Sequence, residues 1–215
     1  KEYRRQRQMC IRDSAYVELI ERSKTPAERE AIILQLKRAV ERMSRLVSQL
    51  LAFAENDVTQ ARPIEFHSID LNAFIFDICA DWVSQALKRN IDFGFEQSET
   101  PVFIQGDKGR LQDLFDNLID NALLYTPAHG RVTVRINATP LPCVTISDDA
   151  RVILDDEKAL IFERFHRLLG IGNGSGLGLA IAKEVATAHN AVISIHQDDI
   201  DGTGNAFSVV FSKSV

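Results

Sequence analysis

The stretch "DNLIDNALLYTP", residues 116–127, predicts an amphipathic helix whose polar side has an unusual composition. Asn117 and Asn121 are four residues apart and therefore lie on one face of a helix. The opposite, apolar side consists of Leu118, Ile119 and Ala122. Because asparagine is a poor helix former, two of them beside a buried face indicate a site. An amide oxygen is a suitable ligand for Mg²⁺ bound to nucleotide phosphate, although these amides could instead only cap or bridge loops.

A second unusual stretch, "GNGSGLGLAIA" at residues 172–182, has glycine at four alternate positions and then a helical apolar pattern. Glycine-rich loops before helices often hold phosphate. The spacing does not fit the dinucleotide fingerprint G-x-G-x-x-G, and no G-K-[ST] P-loop occurs in the chain. Alone, the loop is equally consistent with a hinge or turn, because glycine serves any position that needs a positive φ.

The pattern around these two stretches predicts a two-layer α/β sandwich of the α+β class over residues 64–215. Strands are predicted for "PIEFHSI", "IDFGFEQ", "PVFIQ", "GRVTVRINA", "PCVTIS", "AVISIHQ" and "AFSVVFS". Helices are predicted from Asp70 to Arg89, from Asp107 to Leu124, over 155–166, and from the glycine loop to His189. The aspartates at 70 and 107 are expected to be N-caps.

Composition excludes several function classes. The net charge of −5 gives no reason to expect nucleic acid as a partner. The three cysteines are far apart and form no C-x-x-C, which is typical of reduced thiols rather than of a disulfide framework or zinc site. No apolar run approaches the length of a membrane span, so we expect no membrane contact within this chain.

Residues 15–58 show a different, heptad periodicity. Ile33, Leu36, Val40, Met43, Val47, Leu50 and Ala54 alternate by three and four residues. This seam predicts a helical hairpin of a bundle, with its turn near Lys24 and with Thr25 and Pro26 starting the second helix. The first arm is much shorter than the second, which indicates that part of it is missing or replaced.

The order of these motifs resembles the cytoplasmic part of bacterial two-component sensor histidine kinases. In that family the "NLIDNALLYTP" stretch is similar to the N-box, "IFERFHR" to the F-box, and "GSGLGLAIAKEVATAH" to the G2 box. Asp148 ends a predicted strand between the first two. The resemblance covers residues 14–215. It implies a Bergerat-type ATP-binding domain, preceded by a hairpin of the dimeric four-helix bundle that carries the phosphoacceptor histidine.

The resemblance also implies roles for individual residues. Asn121 would ligate Mg²⁺ on the ATP phosphates, and Asn117 would support it. Tyr125 would lie beside the nucleotide, and Asp148 would accept the adenine amino group. The segment over the phosphates would include Phe165, Gly174, Gly176, Leu177 and Gly178, with Phe162 and Phe165 as its anchors or as core aromatics.

The implied activity is transfer of the ATP γ-phosphoryl group to a histidine and then to an aspartate of a response regulator. Related hydrolases carry a glutamate four residues before the Mg²⁺-binding asparagine, where this chain has Asn117. Because an amide is not a general base, the residue favours phosphotransfer over hydrolysis. The resemblance further implies a homodimer through residues 15–58 and a cytoplasmic domain of an inner-membrane protein.

The chain departs from the family at the phosphoacceptor. None of the five histidines has the context H-E-x-x-T-P, and Glu21 stands where the histidine would be in "ERSKTP". We expect the acceptor upstream, where "KEYRRQRQMCIRDS" resembles translated sequencing-adapter sequence. Residues 1–14 are therefore interpreted as a foreign or disordered segment. A flexible basic tail is the alternative.

A second departure affects the loop expected under the adenine. The family pattern D-x-G-x-G-I becomes Asp148-Asp149-Ala150-Arg151-Val152-Ile153, so both glycines are lost. Alanine and valine tolerate positive φ poorly. Two hypotheses follow: an active kinase region, or a degenerate dimerising scaffold that binds nucleotide weakly.

Overall fold

The computed structural model of the chain describes residues 65–166, 176–197 and 204–212. The chain divides into two units, Lys1–Thr59 and Gln60–Val215, and all described residues belong to the second. Three predictions lie outside the described residues: the segment 1–14, the helical hairpin 15–58 and the role of Gly174.

Seven strands and four helices follow in chain order. The strands are β1 (His67–Asp70), β2 (Asp92–Glu96), β3 (Phe103–Gly106), β4 (Arg131–Asn137), β5 (Cys143–Asp148), β6 (Ala191–Gln197) and β7 (Asn205–Phe211). The helices are α1 (Leu71–Lys88), α2 (Lys108–Tyr125), α3 (Asp155–Lys158) and α4 (Gly178–Ala188), with a 3₁₀ turn at Leu160–Phe162. Among the described residues, no helix is long and apolar enough to cross a membrane.

The strands form two sheets. Five of them pair in the order β2-β4-β5-β7-β6, with β2 and β4 parallel and the other neighbours antiparallel. Strands β1 and β3 form a separate antiparallel pair. Helix α2 packs between α1 and α4, and all three contact strands of the large sheet. This arrangement confirms the predicted two-layer α/β sandwich.

Side-chain alternation along the strands explains which face of the sheet carries the core. On β4 the buried residues are Val132, Val134 and Ile136, and the residues between them are more exposed. These three pair with Asp148, Ile146 and Val144 of β5. Successive strand residues point to opposite faces. The core face of β5 is therefore apolar until its last residue, Asp148, which is a carboxylate.

The two long helices begin where the sequence predicts. The side chain of Asp70 accepts hydrogen bonds from the N–H groups of Asn72 and Ala73, and that of Asp107 accepts one from Arg110. Each aspartate satisfies N–H groups that have no partner within the helix. Both predicted starts are confirmed, and both helices end within one residue of the predicted position.

The segment 155–166 differs from the single helix that the sequence predicts. It consists of the short helix α3, a 3₁₀ turn and an irregular end. Phe165 has a φ of +63°, and its N–H donates to the carbonyl of Gly176 at 2.8 Å. A residue in the left-handed region cannot continue a right-handed helix. The contact with Gly176, distant in sequence, thus overrides the local helical pattern.

His189 joins the end of α4 to the start of α2. Its Nε2 accepts a hydrogen bond from the Asp107 N–H at 3.0 Å, and its Nδ1 lies 2.8 Å from the Val185 carbonyl. A carbonyl only accepts and an amide N–H only donates, so the ring is neutral with its proton on Nδ1. Burial lowers the pKa of His189 below its ordinary 6.5. Helices α2 and α4 are thereby locked at one end.

We predict that His189→Ala lowers the free energy of unfolding by about 2–3 kcal/mol at pH 7.5, because a buried donor and a buried acceptor lose their partner. Protonation of His189 breaks the bond from Asp107. The difference between the wild type and the variant is therefore full above pH 6.5 and shrinks as the pH falls through the lowered pKa. Urea denaturation at several pH values measures it, with the exposed His196→Ala as control. A difference that is constant from pH 7.5 to 5 would contradict this interpretation.

Candidate functional site

The asparagine face of α2 lies at the edge of the core. Leu118, Ile119 and Ala122 are fully buried, whereas Asn117, Asn121 and Tyr125 are half-buried. The amide of Asn117 donates through Nδ2 to the carbonyl of Asp113 at 2.7 Å, which leaves its Oδ1 directed away from that bond. The two-sided helix predicted from the sequence is confirmed. Its polar face is one turn longer than the asparagine pair because Tyr125 continues it.

Gly178 brings the N-terminus of α4 against this face. A Cβ atom at position 178 would lie 2.8 Å from Oδ1 of Asn117, which is closer than real Cβ contacts. Only glycine permits this approach without moving the amide. The preceding residue, Leu177, is buried and has no polar side chain to cap the helix. The positive end of the α4 dipole therefore adjoins the asparagine face.

Phe165 and Gly176 form a backbone contact just before α4. Gly176 has a φ of +73°, and a Cβ there would lie 2.8 Å from the His166 carbonyl oxygen. The Phe165 ring is 66% exposed, so the interpretation of this residue as a core aromatic is wrong. Phe162, in contrast, packs against the core and lies under the ammonium of Lys183. The two predicted anchors thus have different environments.

Asp148 is a buried carboxylate at the end of β5, with only 2% of its surface exposed. Its Oδ1 accepts hydrogen bonds from the Ala150 N–H at 3.0 Å and from Nδ2 of Asn205 at 3.1 Å. Burial raises the pKa of Asp148 from 3.8 to about 6, the bonds from Asn205 and Ala150 lower it, and Asp149 raises it. Such a perturbed group at the edge of a core is typical of a functional site.

The glycine before β7 shows how closely the backbone approaches Asp148. Gly204 has a φ of +100°, and a Cβ there would lie 1.8 Å from the Asp148 carbonyl oxygen. No other residue fits at this position. The sequence analysis did not single out Gly204 or Asn205. The signal was present in "DGTGNAFSVVF", where a glycine and an asparagine directly precede an apolar strand.

The C-terminus of α2 lies next to the end of β5. A Cβ at Gly130 would contact both Cγ2 of Thr126, at 2.6 Å, and Cβ of Asp149, at 3.4 Å. Thr126 caps the end of α2, and its buried Oγ1 has no hydrogen-bond partner within the part of the chain that the structure describes. Buried polar atoms are rarely left unpaired. The hydroxyl thus marks a place where a bound molecule or a water would supply a partner.

The loop that follows Asp148 is not strained by the loss of its glycines. The non-glycine residues with positive φ in the described ranges are Asn90, His129, Phe165 and Asn190. Neither Ala150 nor Val152 is among them, so the loop follows a path that alanine and valine accept. The Arg151 guanidinium pairs with Glu157 of α3 at 3.2 Å, which makes its contact a structural one.

We predict that Asp148→Asn raises the free energy of unfolding by roughly 1–3 kcal/mol at pH 7.5, because the burial of a charge is no longer required. The wild-type carboxyl ionises near pH 3.8 when unfolded and near pH 6 when folded. The wild type therefore loses stability as the pH rises through this window, and the variant does not. Denaturant titrations from pH 4 to 7.5 measure the gap, with the exposed Asp92→Asn as control. An Asp148→Asn variant that is less stable at pH 7.5 would refute the desolvation argument.

Comparisons with known proteins agree with this geometry. Residues 106–214 match the family model described as "Histidine kinase-, DNA gyrase B-, and HSP90-like ATPase". The sensor protein kinase PmrB of Pseudomonas aeruginosa is 33% identical over 207 residues, which are 95% of this chain and 42% of PmrB. The chain thus spans less than half the length of this relative.

Solved structures show the same fold. The mycobacterial sensor histidine kinase MprB matches with a TM-score of 0.58 and 29% identity, over 68% of this chain and 96% of MprB. ThkA in complex with the response regulator protein TrrA matches in fold with a TM-score of 0.74 and 18% identity, over 97% of this chain and 58% of ThkA. The chain therefore belongs to the histidine kinase-, DNA gyrase B- and HSP90-like ATPase family and carries the catalytic, ATP-binding domain of a sensor histidine kinase.

Proposed function

We propose that the site binds ATP with Mg²⁺ and transfers the γ-phosphoryl group to a histidine of a phosphoacceptor helix. The observation that carries this proposal is the meeting of three features: the asparagine face of α2, the uncapped N-terminus of α4, and the buried carboxylate of Asp148. Each feature suits one part of the nucleotide. Family membership supports ATP as the ligand.

Adenine recognition is assigned to Asp148 and the residues beside it. A carboxylate accepts a hydrogen bond from the exocyclic amino group of adenine, and guanine has an acceptor at that position. Because Oδ1 already accepts two hydrogen bonds, Oδ2 is the atom left for the base. The unpartnered Thr126 hydroxyl and the half-buried Tyr125 adjoin this place.

Phosphate binding is assigned to the region around Gly178. The N-terminus of a helix attracts anions, and the absence of a Cβ at Gly176 and Gly178 lets the backbone approach them. The Asn121 amide oxygen is a suitable ligand for Mg²⁺, which neutralises phosphate charge when bound. Asn117 would support it, one turn earlier on the same face. Gly174 is proposed to belong to the same phosphate-binding segment.

Phosphotransfer is favoured over hydrolysis by the side chain of Asn117. Its amide donates to the Asp113 carbonyl, and an amide cannot remove a proton from water. Catalysis would then consist of positioning and charge stabilisation, as in other phosphoryl transfers. No observation on the described residues favours the degenerate scaffold, because the loop at Ala150 and Val152 is unstrained.

The partners proposed for the chain follow from its relatives. ThkA was solved with a response regulator protein, and we propose a response-regulator receiver domain as the final phosphate acceptor here. Residues 15–58 are proposed to form the dimerising helical hairpin, and residues 64–215 the catalytic domain. Residues 1–14 are proposed to be foreign to both. The whole protein is proposed to lie at the inner membrane, with this domain in the cytoplasm.

We predict saturable binding of a fluorescent ATP analogue in the sub-millimolar range that strengthens with Mg²⁺. Asn121→Ala should remove most of the Mg²⁺-dependent gain, a loss of about tenfold in affinity, or ~1.4 kcal/mol. Asn137→Ala, an exposed asparagine at the end of β4, is the matched control and should bind like the wild type. Fluorescence titrations with Mg²⁺ or with EDTA measure both.

The phosphotransfer step is tested with an acceptor supplied in trans. The chain is incubated with radiolabelled ATP and with the separately purified phosphoacceptor domain of PmrB. Acid-labile, base-stable label on that domain supports a phosphohistidine product. Tight nucleotide binding without label transfer would favour the scaffold, and absence of Mg²⁺-dependent binding would refute the proposed function.

We predict that Gly178→Ala affects ligand binding more than stability. The added methyl group would collide with Oδ1 of Asn117, which can move because it ends a flexible side chain. Alanine favours a helix by up to about 1 kcal/mol over glycine, so the melting temperature should not fall. Nucleotide affinity should fall about tenfold as the amide is displaced. Gly109→Ala, in the open first turn of α2, is the control and should leave affinity unchanged. Unchanged affinity in Gly178→Ala would place the phosphates elsewhere.

A further inference from the structure

We propose that Asn205 is the positioning residue of the nucleotide site: its side-chain amide fixes both the Asp148 carboxylate and the loop of residues 149–153. The proposal rests on the proposed function, because it concerns how tightly nucleotide is bound. It goes beyond that function in assigning a role to a residue that makes no direct contact with the ligand in our assignment.

Three hydrogen bonds carry the proposal. Nδ2 of Asn205 donates to Oδ1 of Asp148 and to the Arg151 carbonyl, both at 3.1 Å. Oδ1 of Asn205 accepts from the Ile153 N–H at 2.8 Å. The residue is 2% exposed, so these bonds form away from water, where they are worth most. Both donors of the amide are thus used, one on the carboxylate and one on the loop.

The loop depends on this amide because it has little else to hold its backbone. Residues 149–153 contain no glycine and use no positive φ, so they do not form a tight turn of their own. The start of the loop is tied by Ala150 N–H to Asp148 and by Asp149 N–H to the Arg131 carbonyl. Its second half is tied by Asn205 at Arg151 and Ile153.

Position in the sheet explains why an asparagine can perform this function. Asn205 and Asp148 are direct partners in the antiparallel pairing of β7 with β5. Directly opposite residues have Cβ atoms about 4.5–5.5 Å apart, which suits a short amide and a short carboxylate. An aspartate at 205 would keep the acceptor for Ile153 but lose both donors. A threonine would keep one donor and lose the reach to the loop.

The charge state of Asp148 follows from the same contact. Donation from Asn205 stabilises the ionised carboxyl and opposes the effect of burial on its pKa. The charged groups nearby are Asp149, which raises that pKa, and the Arg151–Glu157 pair across the loop. Val132 on β4, the other strand partner, carries no charge. Removing the Asn205 amide should therefore raise the pKa of Asp148 further.

The experiment compares the full chain with Asn205→Ala in two measurements. Carboxyl ¹³C NMR follows the titration of Asp148 without ligand, and fluorescent ADP titrations from pH 5 to 8 follow affinity. We expect a higher pKa for Asp148 in the variant, a loss of affinity of roughly tenfold at pH 7, and a midpoint of the binding profile displaced to higher pH.

Ser208→Ala is the matched control. Ser208 lies on the same strand, is buried and bonds to Thr145 rather than to the site. It should lose stability without any change in the titration of Asp148 or in the pH profile. If Asn205→Ala does not fold, Asn205→Thr replaces it. Its single donor should give an Asp148 pKa at or above that of the wild type, with weakened affinity.

The outcomes separate the two proposals. If Asp148 titrates alike in the wild type and in the folded variant, Asn205 is not a positioning residue, whether or not nucleotide binds. If the pKa rises as expected but affinity and pH profile stay those of the wild type, the proposal is also wrong. If the wild type binds no nucleotide at any pH while Asp148 responds to Asn205→Ala, the proposed function fails and the role in affinity fails with it.

Discussion

The antiparallel contact between α2 and α4 is the constraint on which the rest of the site depends. At one end, the missing Cβ of Gly178 lets α4 approach the amide of Asn117. At the other end, neutral His189 accepts from the N–H of Asp107. Two rigid helices held at both ends have a fixed register, so the α4 N-terminus faces the asparagines and not a neighbouring turn. Each end requires an absence: a side chain at 178, and a proton on Nε2 of His189.

The second constraint is the burial of polar groups at the end of the core. Asp148 continues the same face of β5 as Val144 and Ile146, and the Thr126 hydroxyl has no partner among the described residues. Both arrangements cost folding free energy. A chain selected only for stability would place apolar residues there. The cost is understandable where a ligand supplies the missing partners, and this is the physical sense in which the region differs from the rest of the core.

The loop after Asp148 shows how a local loss is compensated at a distance. From the sequence, the replacement of two glycines by Ala150 and Val152 indicates a damaged loop. In the structure, these residues keep ordinary backbone angles, and the side chain of Asn205 holds the loop from the neighbouring strand. The comparison with a glycine pattern assumes one backbone path. A different path with a different anchor meets the same need, so the loss of the glycines does not by itself imply loss of function.

The sequence by itself determined the features that arise from neighbouring residues. The strands, the caps at Asp70 and Asp107, the class of fold and the asparagine face of α2 follow from periodicity and local hydrogen bonding, which act over a few residues. Only the tertiary structure decided the break at Phe165, the tautomer of His189 and the clamp of Asn205 on Asp148. The last two join residues 82 and 57 positions apart. No local pattern encodes such contacts, because they exist only once helices and strands have packed and their registers are fixed.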